Sequence, residues 1–119
     1  MLNNRHSATV TQTTTASAPT AATDGVLIRN APRYVRLQAD TSGSVGSVAF
    51  EVWHYVPGGS VPWTFDRSLG ANGVITISAI TDAPYDLVFE APGSRVMIRT
   101  ITNAAGTTLT VDVIEITEN

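Results

Sequence analysis

The 119-residue chain contains no cysteine and no lysine. Without cysteine there is neither a disulfide framework nor a thiolate metal site. All seven basic residues are arginine, and ten Asp and Glu residues bring the net charge to −3. Charged residues amount to 14%, against about a quarter in an ordinary domain. Most of the exterior must therefore be Thr, Ser, Asn, Gln and Gly, a surface that is either small and polar or covered by a neighbour. An isoelectric point of about 5.1 argues against a general nucleic-acid binder, whose affinity comes from clustered cations displacing counterions. The opening MLNNRHSATVTQ lacks the apolar run of a secretory signal, and no transmembrane-length apolar run occurs anywhere. The expectation is a protein made in a cytoplasm, with no membrane partner.

Helical periodicity is missing as well: no window of about 11 residues keeps a 3.6-residue apolar spacing with caps at its ends. What is present is enough apolar material, 43% of residues, to build the core of one domain. It is unevenly distributed. From Ser7 to Thr23 the chain is almost wholly Thr, Ala and Ser, with Val10, Gln12 and Pro19 as exceptions. Such a stretch offers little apolar area to offset the entropy of ordering its backbone. Residues 1–23 are predicted to form an extended arm, long enough at about 3.3 Å per residue to reach beyond its own domain.

Residues 24–119 read as short β-branched and aromatic runs cut by turns. In RYVRLQAD, Val35, Leu37 and Ala39 alternate with Tyr34, Arg36 and Gln38, the period of a strand with one face buried. Val48, Phe50, Val52, His54 and Val56 likewise alternate with Ala49, Glu51, Trp53 and Tyr55. Thr41–Gly46 and Pro57–Ser60 read as turns, and Asn72-Gly73 as a tight hairpin turn. Leu109, Val111 and Val113 form an inward row near the end of the chain. Seven to eight strands at this spacing predict an all-β fold, an antiparallel β-sandwich of jelly-roll or Greek-key type.

Candidate chemistry is sparse. Glu51 and His54, three apart in a strand, fall on opposite faces and do not make a base and its orienter. Asp82 and Asp86 flank a Pro-containing loop without the dense acidic spacing of a cation site, and Asp66 with Arg67 reads as a surface pair. No nucleophile and base constellation emerges, so the expectation is a protein that is not an enzyme and uses no cofactor or metal. Arg29, Arg33 and Arg36, with Tyr34 among them, are the only basic concentration. In an acidic domain they fit guanidinium forks gripping carboxylates across an interface better than a nucleic-acid footprint. Trp53, Tyr55, Trp63 and Phe65 cluster around the Pro-Gly-Gly turn. A hairpin would pair them either as a platform for sugar rings or as core or interface packing.

The Thr/Ala/Ser arm, the RYVRL strand, the EVWHY strand ending in a Gly-rich turn, and the closing SRVMIRTIT and TLTVDVIEI strands together resemble small virion structural proteins of tailed bacteriophages. The resemblance is to the capsid decoration, cement and head–tail accessory types, and it extends over most of residues 24–119. It implies a non-enzymatic subunit of the virion, made in the host cytoplasm and bound to the major capsid protein or another virion protein. It also implies a homo-oligomer, with a trimer favoured, and an arm that latches a neighbour by strand addition. Arg29, Arg33, Tyr34 and Arg36 would then make polar interface contacts, and Trp53, Tyr55, Trp63 and Phe65 an apolar one. A carbohydrate-binding sandwich is the alternative expectation.

Overall fold

The computed structural model describes residues 2–28, 34–43, 47–58, 60–78, 85–103 and 106–118. They form nine strands: β1 (Leu2–Gln12), β2 (Val26–Leu27), β3 (Tyr34–Gly43), β4 (Val48–Tyr55), β5 (Trp63–Phe65), β6 (Ile75–Ile77), β7 (Tyr85–Glu90), β8 (Arg95–Asn103) and β9 (Thr107–Glu118). Two antiparallel sheets pack face to face. Sheet A runs β1-β9-β3-β7, and sheet B runs β2-β8-β4-β5 with β6 also on β4.

This order follows from one long ribbon. The first four strands pair with the last five in reverse order, β1 with β9, β2 with β8, β3 with β7, and β4 with β5 and β6. Rolling that ribbon brings β3 against β9 and β4 against β8, which closes each sheet. The result is a jelly roll, one of the two sandwich types the alternation predicts.

Period-two alternation sorts the side chains. Val35, Leu37 and Ala39 of β3 and Leu109, Val111 and Val113 of β9 face Val48, Phe50 and Val52 of β4 and Val96 and Ile98 of β8. Phe50, Val52, Val111 and Val113 are wholly buried. Asn72 and Gly73 take positive φ angles of 52° and 88°, and Ala71 and Val74 exchange both backbone hydrogen bonds across them. That is the two-residue turn the Asn-Gly pair predicts.

Two local readings of the sequence require correction. The Thr41–Gly46 segment is not wholly a turn, because β3 continues to Gly43, which pairs with Thr107. Thr41 is buried there, a β-branched residue extending the inward row. Larger is the change at the amino terminus. Residues 2–12, predicted as part of an extended arm able to reach beyond its own domain, are the edge strand β1, in register with β9 from Leu2–Glu118 to Gln12–Leu109. The composition correctly signals a segment with no core of its own, since among its described side chains only Val10 packs against the core cluster. Main-chain bonding to β9 supplies what apolar burial does not.

The rest of the predicted arm is docked too. The Gln12 amide accepts from the Thr100 N–H at 3.0 Å and from its hydroxyl, and donates to Ile98 O at 2.9 Å. Ala16 N donates to Thr100 O, Arg99 Nε donates to Ala16 O, and Pro19 is buried. Asp24 accepts from the N–H groups of Thr20 and Ala21, which hold its carboxyl below the ordinary range. Residues 13–25 are thus a strap from the edge of sheet A across to sheet B.

Candidate interaction surfaces

In an antiparallel ladder, residues opposite one another share a face, so the register defines the outer face of sheet A in rows. At one end lie Tyr34, Glu90, Ile116 and, on β1, Asn4; next come Arg36, Val88, Ile114 and His6. Then follow Gln38, Asp86, Asp112 and Thr9, and finally Asp40, Thr110 and Thr11. One end is therefore apolar and the other is an array of oxygens. Val88 is 56% and Tyr34 42% exposed, with Ile114 and Ile116 half-buried beside them. At the polar end a shallow cleft of about 340 Å³ is lined by Gln38, Asp40, Ser42, Thr110 and Asp112.

Arg36 sits between the two ends. Its Nε donates to Asp86 Oδ1 at 2.8 Å and its terminal nitrogen to Oδ2. This fork holds the Asp86 carboxyl below the ordinary carboxylate range and raises the guanidinium. The guanidinium that the sequence assigns to an interface grips a carboxylate of its own sheet. Arg29, Arg33 and Asp82 lie outside the described residues. Tyr34 shares the outer face with Arg36 and is exposed.

The four aromatic residues meet as predicted in one hairpin, on the outer face of sheet B. Trp53 opposes Phe65 and Tyr55 opposes Trp63, with ring centroids 5.5 and 5.2 Å apart and planes inclined at 37° and 62°. Both indole N–H groups are used within the chain: Trp53 Nε1 donates to Glu51 at 3.1 Å and Trp63 Nε1 to Ala21 O at 2.9 Å. The second bond ties the strap to this face, and Trp63 is only 5% exposed. Arg95 adds bonds to the carbonyls of Thr23 and Gly25, and Arg99 bridges Glu51 and Ala16. Trp53, Tyr55 and Phe65 are half-buried.

A third cluster was not apparent as such from the sequence. His54, 3% exposed, places Nε2 2.7 Å from Asp66 Oδ2, and its ring meets Phe89 edge-on at 5.4 Å. Burial pushes the Asp66 carboxyl up, but the hydroxyl and N–H of Ser68 together with His54 outweigh it, and its pKa lies below the ordinary 3.8. Asp66 is therefore not paired with Arg67, whose guanidinium instead lies 5.2 Å from the centre of the Phe65 ring. Alternation carried through the hairpin contains the signal: Asp66 N bonds Val52 O, so Asp66 falls on the inward side with Val52 and His54. A cleft of about 560 Å³ beside the pair is lined by Phe65, Arg67, Ser68, Glu90 and Pro92. Ser68 Oγ donates to Asp66 rather than to His54, so the three do not form a nucleophile–base relay. Their chemistry is that of a buried polar clamp between β4 and the chain after β5.

Glu115, 1% exposed, is a buried acid on the inward row of β9. The β-bulge between His6 and Ala8 falls at Ser7, whose hydroxyl donates to Glu115. Compared with models of protein families, with curated proteins and with solved structures, the chain matches none significantly.

Proposed function

We propose that this chain is a non-enzymatic virion structural protein, a capsid decoration or cement subunit that sits on a repeated protein surface through the outer face of sheet A. The observation that carries the reading is the apolar end of that face, where Tyr34 and Val88 are exposed beside Ile114 and Ile116. In a surface so poor in charge, this strip is where a partner gains most by burial. Jelly rolls serve in capsids and in lectins alike, so the surface rather than the fold selects between readings. A head–tail or tail accessory subunit would use the same face. Repetition on a particle would let a homo-oligomer, with a trimer favoured, bind through avidity even where each contact is weak.

The test is co-sedimentation with phage capsids assembled without this protein, reading copies bound per particle. Val88→Asp combined with Tyr34→Ala is expected to lower occupancy by about tenfold or more while the melting temperature stays nearly unchanged. Undiminished occupancy would overturn the reading. Deleting residues 1–23 is a poor test, because it uncovers the β9 edge and takes Ser7 from the buried Glu115.

The carbohydrate reading has weaker support. Tilted ring pairs with internally bonded indoles, one of them under the strap, favour packing over a flat platform for sugar rings.

A further inference from the structure

We infer that β1 is an exchangeable strand, which leaves its own β9 and seats in the same register on β9 of a second copy of this chain. Three features lead there. First, β1 is held almost entirely by its ladder to β9 and by polar bonds such as Ser7 to Glu115 and Thr9 to Asp112 at 2.6 Å. Among its described side chains only Val10 packs against the core, so their release strips little apolar area from the sandwich. Second, the vacated edge needs a strand: ten register positions of β9 lose their β1 partners. Those bonds are the same whichever copy supplies the strand.

Third, the hinge is built for the extended form. Gln12 through its side chain and Ala16 through its backbone both dock on Thr100, and the chain bends at Thr13 and Thr14, which with Thr15 are exposed. Nothing in that bend supplies turn chemistry: it has no Gly, Pro, Asn or Asp. Three β-branched residues prefer extended backbone. Straightened, Gln12 to Ala16 spans about 13 Å, and β1 points away from its own sheet while the strap stays anchored by Pro19, Trp63, Arg95 and Arg99. A short hinge under such a preference is the usual opening for strand exchange. The inference rests on backbone pairing and hinge composition, not on the virion reading.

Because the chain has no cysteine, the exchange can be trapped directly. Thr11 and Thr110 oppose one another on the outer face, at the about 4.5–5.5 Å Cβ spacing of a ladder pair, near disulfide range. A Thr11→Cys chain and a tagged Thr110→Cys chain are mixed at about 1 mM, since exchange is favoured by concentration, and then oxidised. Exchange predicts a disulfide-linked heterodimer on non-reducing gels. In the same chain, Thr13→Asn with Thr14→Gly installs a tight-turn pair that favours the closed form and should lower heterodimer yield about tenfold. A control chain carrying both Thr11→Cys and Thr110→Cys reports whether the disulfide can form at all. If that control closes within its own chain while the mixed single variants give no heterodimer, the proposal fails. A heterodimer yield indifferent to the Asn-Gly hinge would equally overturn it.

Discussion

His54 Nε2 lies 2.7 Å from Asp66 Oδ2, joining the inner face of β4 to the chain just after β5. The imidazole is nearly enclosed, and its other nitrogen, Nδ1, has no hydrogen-bond partner among the described residues. With a proton on Nε2 the N–H meets the carboxylate, and a bare Nδ1 is a buried acceptor rather than a stranded donor. Asp66→Ala would leave that N–H unsatisfied in the interior, at a cost of about 1–3 kcal/mol. Urea denaturation of the variant checks this, and His54→Phe, which removes the polar group while keeping a ring near Phe89, should recover part of the loss when added to Asp66→Ala.

Asp66, held by the Ser68 hydroxyl and then by His54, also sets an acid limit. Asp66 titrates below its ordinary 3.8 in the folded chain, so the unfolded chain binds the proton first as pH falls. The stabilisation is fully present above the unfolded pKa, near 4, and is lost as pH drops through the lowered folded value. Stability measured from about pH 5 downwards should therefore fall less steeply in Asp66→Asn than in the parent chain. Parallel acid limbs would place the controlling carboxylate elsewhere.

Much of the fold was legible because its strands declare themselves by alternation. The rows Val35-Leu37-Ala39, Val48-Phe50-Val52-His54 and Leu109-Val111-Val113 were assigned to their faces from spacing alone, and the cross-strand pairing of Trp53 with Phe65 and Tyr55 with Trp63 follows from the Pro-Gly-Gly turn. β1 was not legible as a strand of this sheet. Its side chains are mostly polar or small, with Leu2 and Val10 the exceptions, and what places it is β9, about 100 residues away along the chain, a main-chain partnership that leaves no apolar pattern. Glu115 escaped for the opposite reason: it continues an apolar inward row, and its Ser7 partner belongs to that same unreadable strand.

Gly73 provides a test of turn geometry. Its φ is +88°, and a Cβ there would sit 2.2 Å from a carbon of the Phe65 ring and 2.8 Å from Asp66 O. Gly73→Ala combines left-handed strain with a clash against the hairpin that carries the clamp, and should cost on the order of 1–3 kcal/mol. Chemical denaturation of the variant reads the loss. Recovery in Gly73→Ala combined with Phe65→Leu would assign the larger share to the ring contact.

The aromatic hairpin separates its two readings through stability. Trp63 is buried under the strap and donates to Ala21 O, so Trp63→Ala removes both a large packed ring and the bond that anchors residues 20–24. Loss of a buried aromatic of this kind costs about 3–5 kcal/mol. Trp63→Phe, which keeps the ring contact with Tyr55 and loses only the N–H, should cost about 1 kcal/mol and speed hydrogen exchange and proteolysis selectively in the strap. Trp53→Ala, at a half-buried position, should cost less than Trp63→Ala. A sugar platform makes the reverse demand: a ring whose face is kept for a ligand can be truncated with little change in melting temperature. Were Trp63→Ala to melt within a degree or two of the parent chain while the strap remained protected, Trp63 would be neither a packing residue nor an anchor, and the hairpin would have to be reconsidered as a binding face for glycans.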